Sequence, residues 1–186
     1  TSNGIRNVAL GFQTLFDNST GTGNTSVGSN SLTNNTVGNY NVAIGDNAAA
    51  SNTAATGNIA IGNNALFTQS FNNGGTAYGL YNVAIGNSAL YYNQPTATGN
   101  GIYNVAVGGS ALERNTVGYY NVGMGTSSFR YNQIGNENSG LGTNSGFYAT
   151  GSSDTYVGNN AGYGVLCSST CGANTGLGSR SMTRLS

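Results

Sequence analysis

Apolar residues return along this chain in a fixed pattern. An Asn, or once an Asp, is followed by an apolar or hydroxylated residue, a small residue, an aliphatic residue and a glycine. This pentapeptide begins at Asn7, Asn24, Asn41, Asn58, Asn82, Asn104, Asn121, Asn138, Asp154 and Asn174, in steps of 17, 17, 17, 24, 22, 17, 17, 16 and 20 residues. With the Asn numbered zero, position three is always apolar, from Leu10 and Val27 through Ile44 and Ile61 to Leu177. Position one is usually Val, Ile or Thr, as in Val8, Val42, Ile59, Val83 and Val105. Alternate residues share a face of a strand, so each copy predicts a short strand whose positions one and three point into the interior. Position two is Ala, Ser or Gly in nine of the ten copies, with Tyr156 the exception. It belongs to the opposite face, which is either closely packed or exposed and kept small.

Position four is Gly in all ten copies, predicting a corner where the backbone takes positive φ or touches another backbone. A second apolar anchor follows at position eight, as Leu15, Leu32, Leu66, Leu90, Leu112, Phe129 and Met182. Two apolar runs per repeat predict two short strands per coil. A further Gly three residues before most of the Asn residues marks another corner. Glycine recurs too densely for helices, since each interior Gly costs about 1 kcal/mol against Ala.

A period this short cannot enclose its own core, so each copy is expected to form one coil of a stack. The chain therefore reads as all-β, a single repeat domain over 1–186 and part of a longer protein. It is a parallel β-roll or β-solenoid of about ten short coils, starting near 7, 24, 41, 58, 82, 104, 121, 138, 154 and 174. Stacked at about 4.8 Å, ten coils make a rod of roughly 45 to 50 Å. Equivalent side chains then lie above one another, and Asn7, Asn24, Asn41, Asn58, Asn82, Asn104, Asn121, Asn138 and Asn174 are expected to form an amide ladder. The other reading of each Asn is a turn cap on its own backbone. Asp154 has no donor, so a neighbour must compensate there. Several chains are expected to associate through the small-residue face, completing the core and hiding strand edges.

Composition removes several function classes. The chain has 31 Gly, one Pro, and no Trp or His. Lys is also absent, and five Arg balance five acids. Only 5% of residues are charged, which gives nothing to attract nucleic acid or an anionic membrane. Disorder is disfavoured by apolar residues at fixed positions. No run approaches the roughly 18 to 20 apolar residues of a membrane span, and the start lacks a signal-peptide layout.

Segments such as Asn41-Val42-Ala43-Ile44-Gly45, Asn58-Ile59-Ala60-Ile61-Gly62 and Asn82-Val83-Ala84-Ile85-Gly86-Asn87-Ser88-Ala89-Leu90 resemble the head repeats of YadA-like trimeric autotransporter adhesins. The resemblance covers residues 7 to about 182. The continuation Ala111-Leu112-Glu113-Arg114-Asn115-Thr116-Val117-Gly118 is longer than in the adhesin heads and resembles phage and giant-virus fibre repeats and surface proteins with a chaperone tail. The resemblance implies a left-handed roll, a homotrimer, and an extracellular, cell-surface or virion location.

Candidate chemistry is sparse. Without His or Lys the usual general base and Schiff-base nucleophile are missing, and the five acids fall in different coils at different phases. No catalysis, metal or cofactor is expected. The recurring polar residue is a neutral amide, unlike the carboxylates of calcium-binding rolls. Cys167 and Cys171 suit a small disulfide loop in an oxidising compartment, or two free thiols. Sequons at Asn18, Asn24 and Asn34 read as products of composition, and Asn24 as inaccessible.

The aromatics offer more. Tyr40, Tyr81, Tyr103 and Tyr120, each just before a repeat Asn, are expected to stack as a structural ladder. The extra residues of the 24- and 22-residue steps should lie side by side as a ledge, with Phe71, Tyr78, Tyr91 and Tyr92 as candidate receptor contacts. The expected function is a structural and adhesive fibre segment, partnered by its own copies and by a host surface glycan or protein. A self-assembling extracellular filament is the alternative. An ice-binding solenoid is weaker, because Thr25, Thr155 and Thr175 are out of consecutive register and expected to face inward.

Overall fold

The computed structural model describes residues 4–71, 73–164 and 172–183. Twelve strands are present, and no helix occurs among the described residues. They are β1 (Val8–Leu10), β2 (Thr25–Val27), β3 (Val42–Ile44), β4 (Ala55–Thr56), β5 (Ile59–Ile61), β6 (Tyr78–Gly79), β7 (Val83–Ile85), β8 (Val105–Val107), β9 (Val122–Met124), β10 (Ser139–Leu141), β11 (Thr155–Val157) and β12 (Thr175–Leu177). Ten of them form one parallel sheet in chain order, β1-β2-β3-β5-β7-β8-β9-β10-β11-β12, and β4 pairs with β6. The chain is thus a parallel β-solenoid of about ten turns.

The pairing register follows the sequence repeat. Val42 lies beside Ile59, Ile59 beside Val83 and Val83 beside Val105, whether the intervening step is 17, 24 or 22 residues. Each coil carries one three-residue main-sheet strand, where two per coil were expected. The position-eight anchor lies in a turn, and its backbone is left-handed, with φ 52° at Leu66, 50° at Leu90 and 49° at Leu112. Left-handed Leu is costly in isolation, about 1 to 2 kcal/mol. It is retained because the fold needs a tight bend there, and the Leu side chain fills the coil.

The expected facing of the strands is reversed. Position two points inward: Ala43, Ala60, Ala84 and Ala106 are fully buried. Against them pack Ala48, Ala65, Ala89 and Ala111 of position seven and Leu32, Leu66, Leu90 and Leu112 of position eight, in one continuous core. Positions one and three face out. The coil is so narrow that Leu from one wall leaves room for only a methyl group, a hydroxyl or hydrogen on the other, which makes position two small. Association through that face is therefore excluded, since it already forms the interior.

Tyr156 shows the same rule from the other side. Gly146 and Gly162 stand where the other coils carry the position-eight anchor, with φ 59° and 66°. A Cβ at Gly146 would overlap the ring of Phe129, and one at Gly162 the ring of Tyr156. The two buried rings lie 5.9 Å apart, so two large residues occupy the space two anchors would have filled. The corner glycines satisfy both expected requirements. Gly86 has φ 134°, and a Cβ there would lie 2.6 Å from the carbonyl of Gly108 in the next coil.

Two columns of polar side chains run through the interior. The repeat Asn ladder is continuous, but its unbroken link is backbone to side chain: the N–H of each repeat residue donates to the side-chain oxygen one coil earlier. Examples are Asn24 to Asn7 at 2.9 Å, Asn82 to Asn58 at 3.1 Å, Asn104 to Asn82 at 2.8 Å and Asn174 to Asp154 at 2.9 Å. Amide-to-amide bonds of the expected kind join Asn41 to Asn24, Asn58 to Asn41 and Asn121 to Asn104, at 3.2, 3.2 and 3.1 Å. The amide nitrogen of Asn24, Asn41, Asn104 and Asn138 also donates to the corner carbonyl of its own coil. The expected compensation at Asp154 is met at one oxygen: Asn174 donates both its backbone and side-chain nitrogens to Asp154 Oδ1, while the buried Oδ2 has no hydrogen-bond partner. The second column, at position eleven, consists of Asn18, Asn35, Asn52, Gln69, Asn93, Asn115 and Asn132, each amide after Asn18 donating one coil back over 2.9 to 3.4 Å. It went unread in the sequence, although it has the same period.

The long steps insert their extra residues between this second column and the next corner. Asn115 donates to Gly118 three residues on, whereas Asn93 reaches Gly101, eight on. Around the inserts a satellite core forms from Ala54, Ala55, Tyr78 and Leu80, with Val37, Phe71 and Ile102 against it.

Candidate functional surfaces

Three surface features stand out from the polar rod, beginning with the outward side of the main sheet. Position one places Val42, Ile59, Val83, Val105 and Val122 in a column. Position three places Ile44, Ile61, Ile85, Val107 and Met124 in a second, in register. Ile44 is 39% and Leu141 53% exposed. At about 4.8 Å per strand the stripe is roughly 48 Å long. An apolar stripe on that scale is unusual on a soluble monomer. A notch of about 120 Å³ interrupts it at Ser139 and Gly140, between Val122, Met124, Leu141 and Val157. Thr25, Thr155 and Thr175 also face outward here, correcting the inward placement expected of them. Only Thr155 and Thr175 are direct neighbours, and Thr25 pairs with Val42, so no threonine array results.

Beside the stripe runs the position-minus-one column. Tyr81 stacks on Tyr103 at 5.4 Å and 16°, and Tyr103 on Tyr120 at 5.2 Å and 2°. The expected ladder therefore holds for three tyrosines. Tyr40 stands apart because Gly57 occupies the position between it and Tyr81; its ring covers Gly23, as that of Tyr81 covers Gly57. All four rings are exposed.

The third feature lies at positions nine and ten, on the far side of the core column from the stripe, because Leu112 points in toward Gly123 while Arg114 is exposed. Phe67 stacks on Tyr91 at 5.2 Å, and Tyr91 meets Tyr92 edge-on at 4.6 Å. Next come Glu113 and Arg130, joined by a hydrogen-bonded ion pair at 2.8 Å. That bond is the main reason the Arg130 guanidinium titrates above its ordinary value. The Arg114 guanidinium lies over the Tyr131 ring at 4.9 Å. Tyr131 then stacks on Tyr148 at 5.1 Å, and Phe147 on Tyr163 at 5.0 Å. The Tyr148 hydroxyl is pushed up, first by desolvation and then by the charge of neighbouring Tyr163. Between Tyr92 and Arg114 a cleft of about 170 Å³ opens, floored by Thr116 and Gln133.

The four aromatics singled out in the sequence separate into two groups. Tyr91 and Tyr92 belong to this ridge, and Tyr92 is 40% exposed. Tyr78 is buried in the satellite core, its ring edge-on to Phe71 at 5.3 Å and its hydroxyl donating to the Phe71 carbonyl at 2.9 Å. Burial raises its pKa to about 12. Tyr78 thus closes the insert and offers no free ring face, and Phe71 is its packing partner. Sequence reasoning missed Arg114, Tyr131, Phe147, Tyr148 and Tyr163. Aligning the coils on positions nine and ten reveals them, because aromatic and Arg residues crowd there from Phe67 onward.

Acids form no constellation. Asp46 is exposed and accepts the Asn63 amide at 3.3 Å, Glu113 pairs with Arg130, and Asp154 serves the inner ladder. Among the described residues no three His, Cys, Asp or Glu side chains gather as a metal site. Cys167 and Cys171 lie outside the described residues. Asn24 is fully buried in the ladder, as expected, so its sequon is inaccessible in the folded chain. No protein-family model, no curated protein and no solved structure matches the chain.

Proposed function

We propose that this chain is a structural and adhesive fibre segment, built as a left-handed homotrimer and displayed outside the cell or on a virion, where it attaches to a host surface. The observation that carries the reading is the in-register Val/Ile stripe on the outside of the sheet. A lone coil stack leaves an aliphatic side chain at position three of every main-sheet strand, flanked by Val or Ile at position one from Val42 to Val122, partly in water. Copies of the same chain, packed in parallel about a common axis, would cover the stripe along its whole length and put equivalent rungs opposite one another. The number three and the left hand follow the resemblance to adhesin heads. The stripe replaces the small-residue face as the association surface.

Sedimentation of the purified chain tests the assembly. The expected species has three times the 18.8 kDa mass of one chain. Ile85→Asp, outward on the stripe, should yield monomers with an unchanged far-ultraviolet circular dichroism spectrum, because the substitution leaves the coil interior alone. A monomeric unmodified chain, or Ile85→Asp trimers as stable as the parent, would overturn the assembly. Open-ended polymers would favour a self-assembling filament instead.

A further inference from the structure

We propose that the cleft between Tyr92 and Arg114 binds a carboxylate-bearing sugar of an acidic glycan. This rests on the adhesive reading above and specifies its ligand class and its site. Charge is the first argument. Glu113 and Arg130 neutralise each other at 2.8 Å, and no carboxylate pairs with Arg114 among the described residues. Arg114 is therefore an uncompensated cation on a ridge of otherwise neutral rings.

Geometry is the second argument. With its centre 4.9 Å from the Tyr131 ring, the guanidinium is held by a cation–π contact that does not consume its N–H donors. Those donors form a planar fork that matches a carboxylate, which a compact ammonium would not. Stacking also reduces the side-chain freedom lost on binding, a main cost for exposed ion pairs.

The surroundings select a sugar over a bare anion. Tyr92 supplies an exposed ring on which the apolar face of a pyranose can lie. The Thr116 hydroxyl donates to the Gln133 carbonyl at 2.9 Å, so its oxygen retains acceptor capacity toward the cleft. The exposed Gln133 side chain adds an amide with both donors and an acceptor for sugar hydroxyls. At about 170 Å³ the cleft is well below the roughly 300 Å³ of a drug-sized pocket and suits one sugar unit. Tyr131 and Tyr148, stacked beyond it, continue the aromatic surface for a neighbouring unit. The ridge lies across the core from the apolar stripe, so assembly through the stripe leaves it open.

Ligand-observed NMR titration of the full chain tests the proposal, with sialyllactose, an oligogalacturonate and neutral lactose as probes. At least one carboxylated probe should bind about tenfold or more tightly than lactose, the size of a lost charge-assisted hydrogen bond. Which one binds identifies a sialic or a uronic acid as the source. Arg114→Gln should abolish that preference, and Tyr92→Ala should weaken binding of the same probe about tenfold. Arg6→Gln, which removes the same charge elsewhere on the rod, should leave affinity within about twofold. Absence of binding by both acidic probes, equal binding of lactose, or equal effects of Arg114→Gln and Arg6→Gln would overturn the proposal. Sedimentation run alongside separates the two readings: trimers that bind no acidic sugar defeat only this inference, and monomers that bind one defeat only the assembly.

Discussion

Replacing Asn104 by Ala should cost this fold far more than its one side chain suggests. Asn104 Oδ1 accepts the backbone N–H of Asn121 at 3.0 Å and the Asn121 amide at 3.1 Å, while its own amide donates to the Gly118 carbonyl at 2.9 Å. The three losses are unequal. The Gly118 carbonyl keeps the Asn115 amide, and the Asn121 side chain keeps the Gly135 carbonyl. The Asn121 N–H has no second acceptor, and Asn121 is fully buried. An orphaned buried donor costs about 1 to 3 kcal/mol, and each of the other two bonds about 0.5 to 1.5 kcal/mol net. The total is roughly 2 to 6 kcal/mol, a large part of a domain's usual stability. Asn87→Ala is the control, because the Asn87 amide bonds Asn63 at 3.1 Å on the exposed outer surface, where about 0.5 kcal/mol or less is expected. Urea unfolding of both variants at matched protein concentration gives the comparison, since any assembly of the kind proposed would make apparent stability concentration-dependent. Hydrogen exchange should also show the Asn121 amide losing protection in Asn104→Ala alone. Equal stabilities for the two variants would refute the claim that buried backbone-to-side-chain bonds hold the coils together.

Other perturbations follow from the same packing. Gly86→Ala must place a methyl 2.6 Å from the Gly108 carbonyl at φ 134°, and should cost about 3 kcal/mol or more in urea unfolding; Gly109→Ala, with nothing within 4 Å, should change little. Gly146→Ala should be strongly destabilising in the parent chain and much less so with Phe129→Leu, because the Phe129 ring occupies the space of the added methyl. A coupling below about 0.5 kcal/mol in that double-mutant cycle would count against the shared cavity. Tyr78 sets an alkaline limit: its pKa rises from 10.0 to about 12 on burial, so the folded state keeps the proton longer than the unfolded chain. Its stabilisation is complete below about pH 10 and is lost as pH rises toward 12, of order 2 kcal/mol in all. Tyr78→Phe should therefore be less stable than the parent at pH 8, having lost the bond to Phe71, and the gap should shrink or reverse by pH 12 in parallel unfolding series.

The coil boundaries, the corner glycines and the Asn ladder were legible in the sequence because each depends on one residue type with a distinct physical capacity. Gly alone tolerates φ 134° against a neighbouring carbonyl, and an amide both donates and accepts. The direction of the strand was not legible from hydrophobicity. Val42-Ala43-Ile44 reads as two apolar residues facing in, yet Ala43 is buried and Ile44 is 39% exposed. The informative signal was the uniform smallness of position two, which reports a wall too close for anything larger once Leu66 or Leu90 fills the coil. Tyr156 appeared to break that rule, and does so only where Gly162 gives up its side chain. The ridge was harder to read because its members differ in kind, and only alignment of the coils on positions nine and ten makes a column of Tyr92, Arg114 and Tyr131.

Breaks in the period and the surfaces they serve obey one constraint. Both polar columns and the corner glycines contact the next coil through atoms fixed close to the backbone, so coil-to-coil registry does not depend on how many residues lie between position eleven and the following corner. The bond from Asn82 to Asn58 spans 24 residues and is 3.1 Å long, close to the 3.0 Å of a 17-residue step such as Asn121 to Asn104. Lengthening that segment costs only loop closure, about 0.6 kcal/mol per doubling. An insertion at positions one to eight would instead break the sheet, the Leu column and the Gly contacts together. The rod can therefore vary one corner freely while its apolar stripe stays straight, which is what a fibre needs if copies pack along one side and different molecules are met on another.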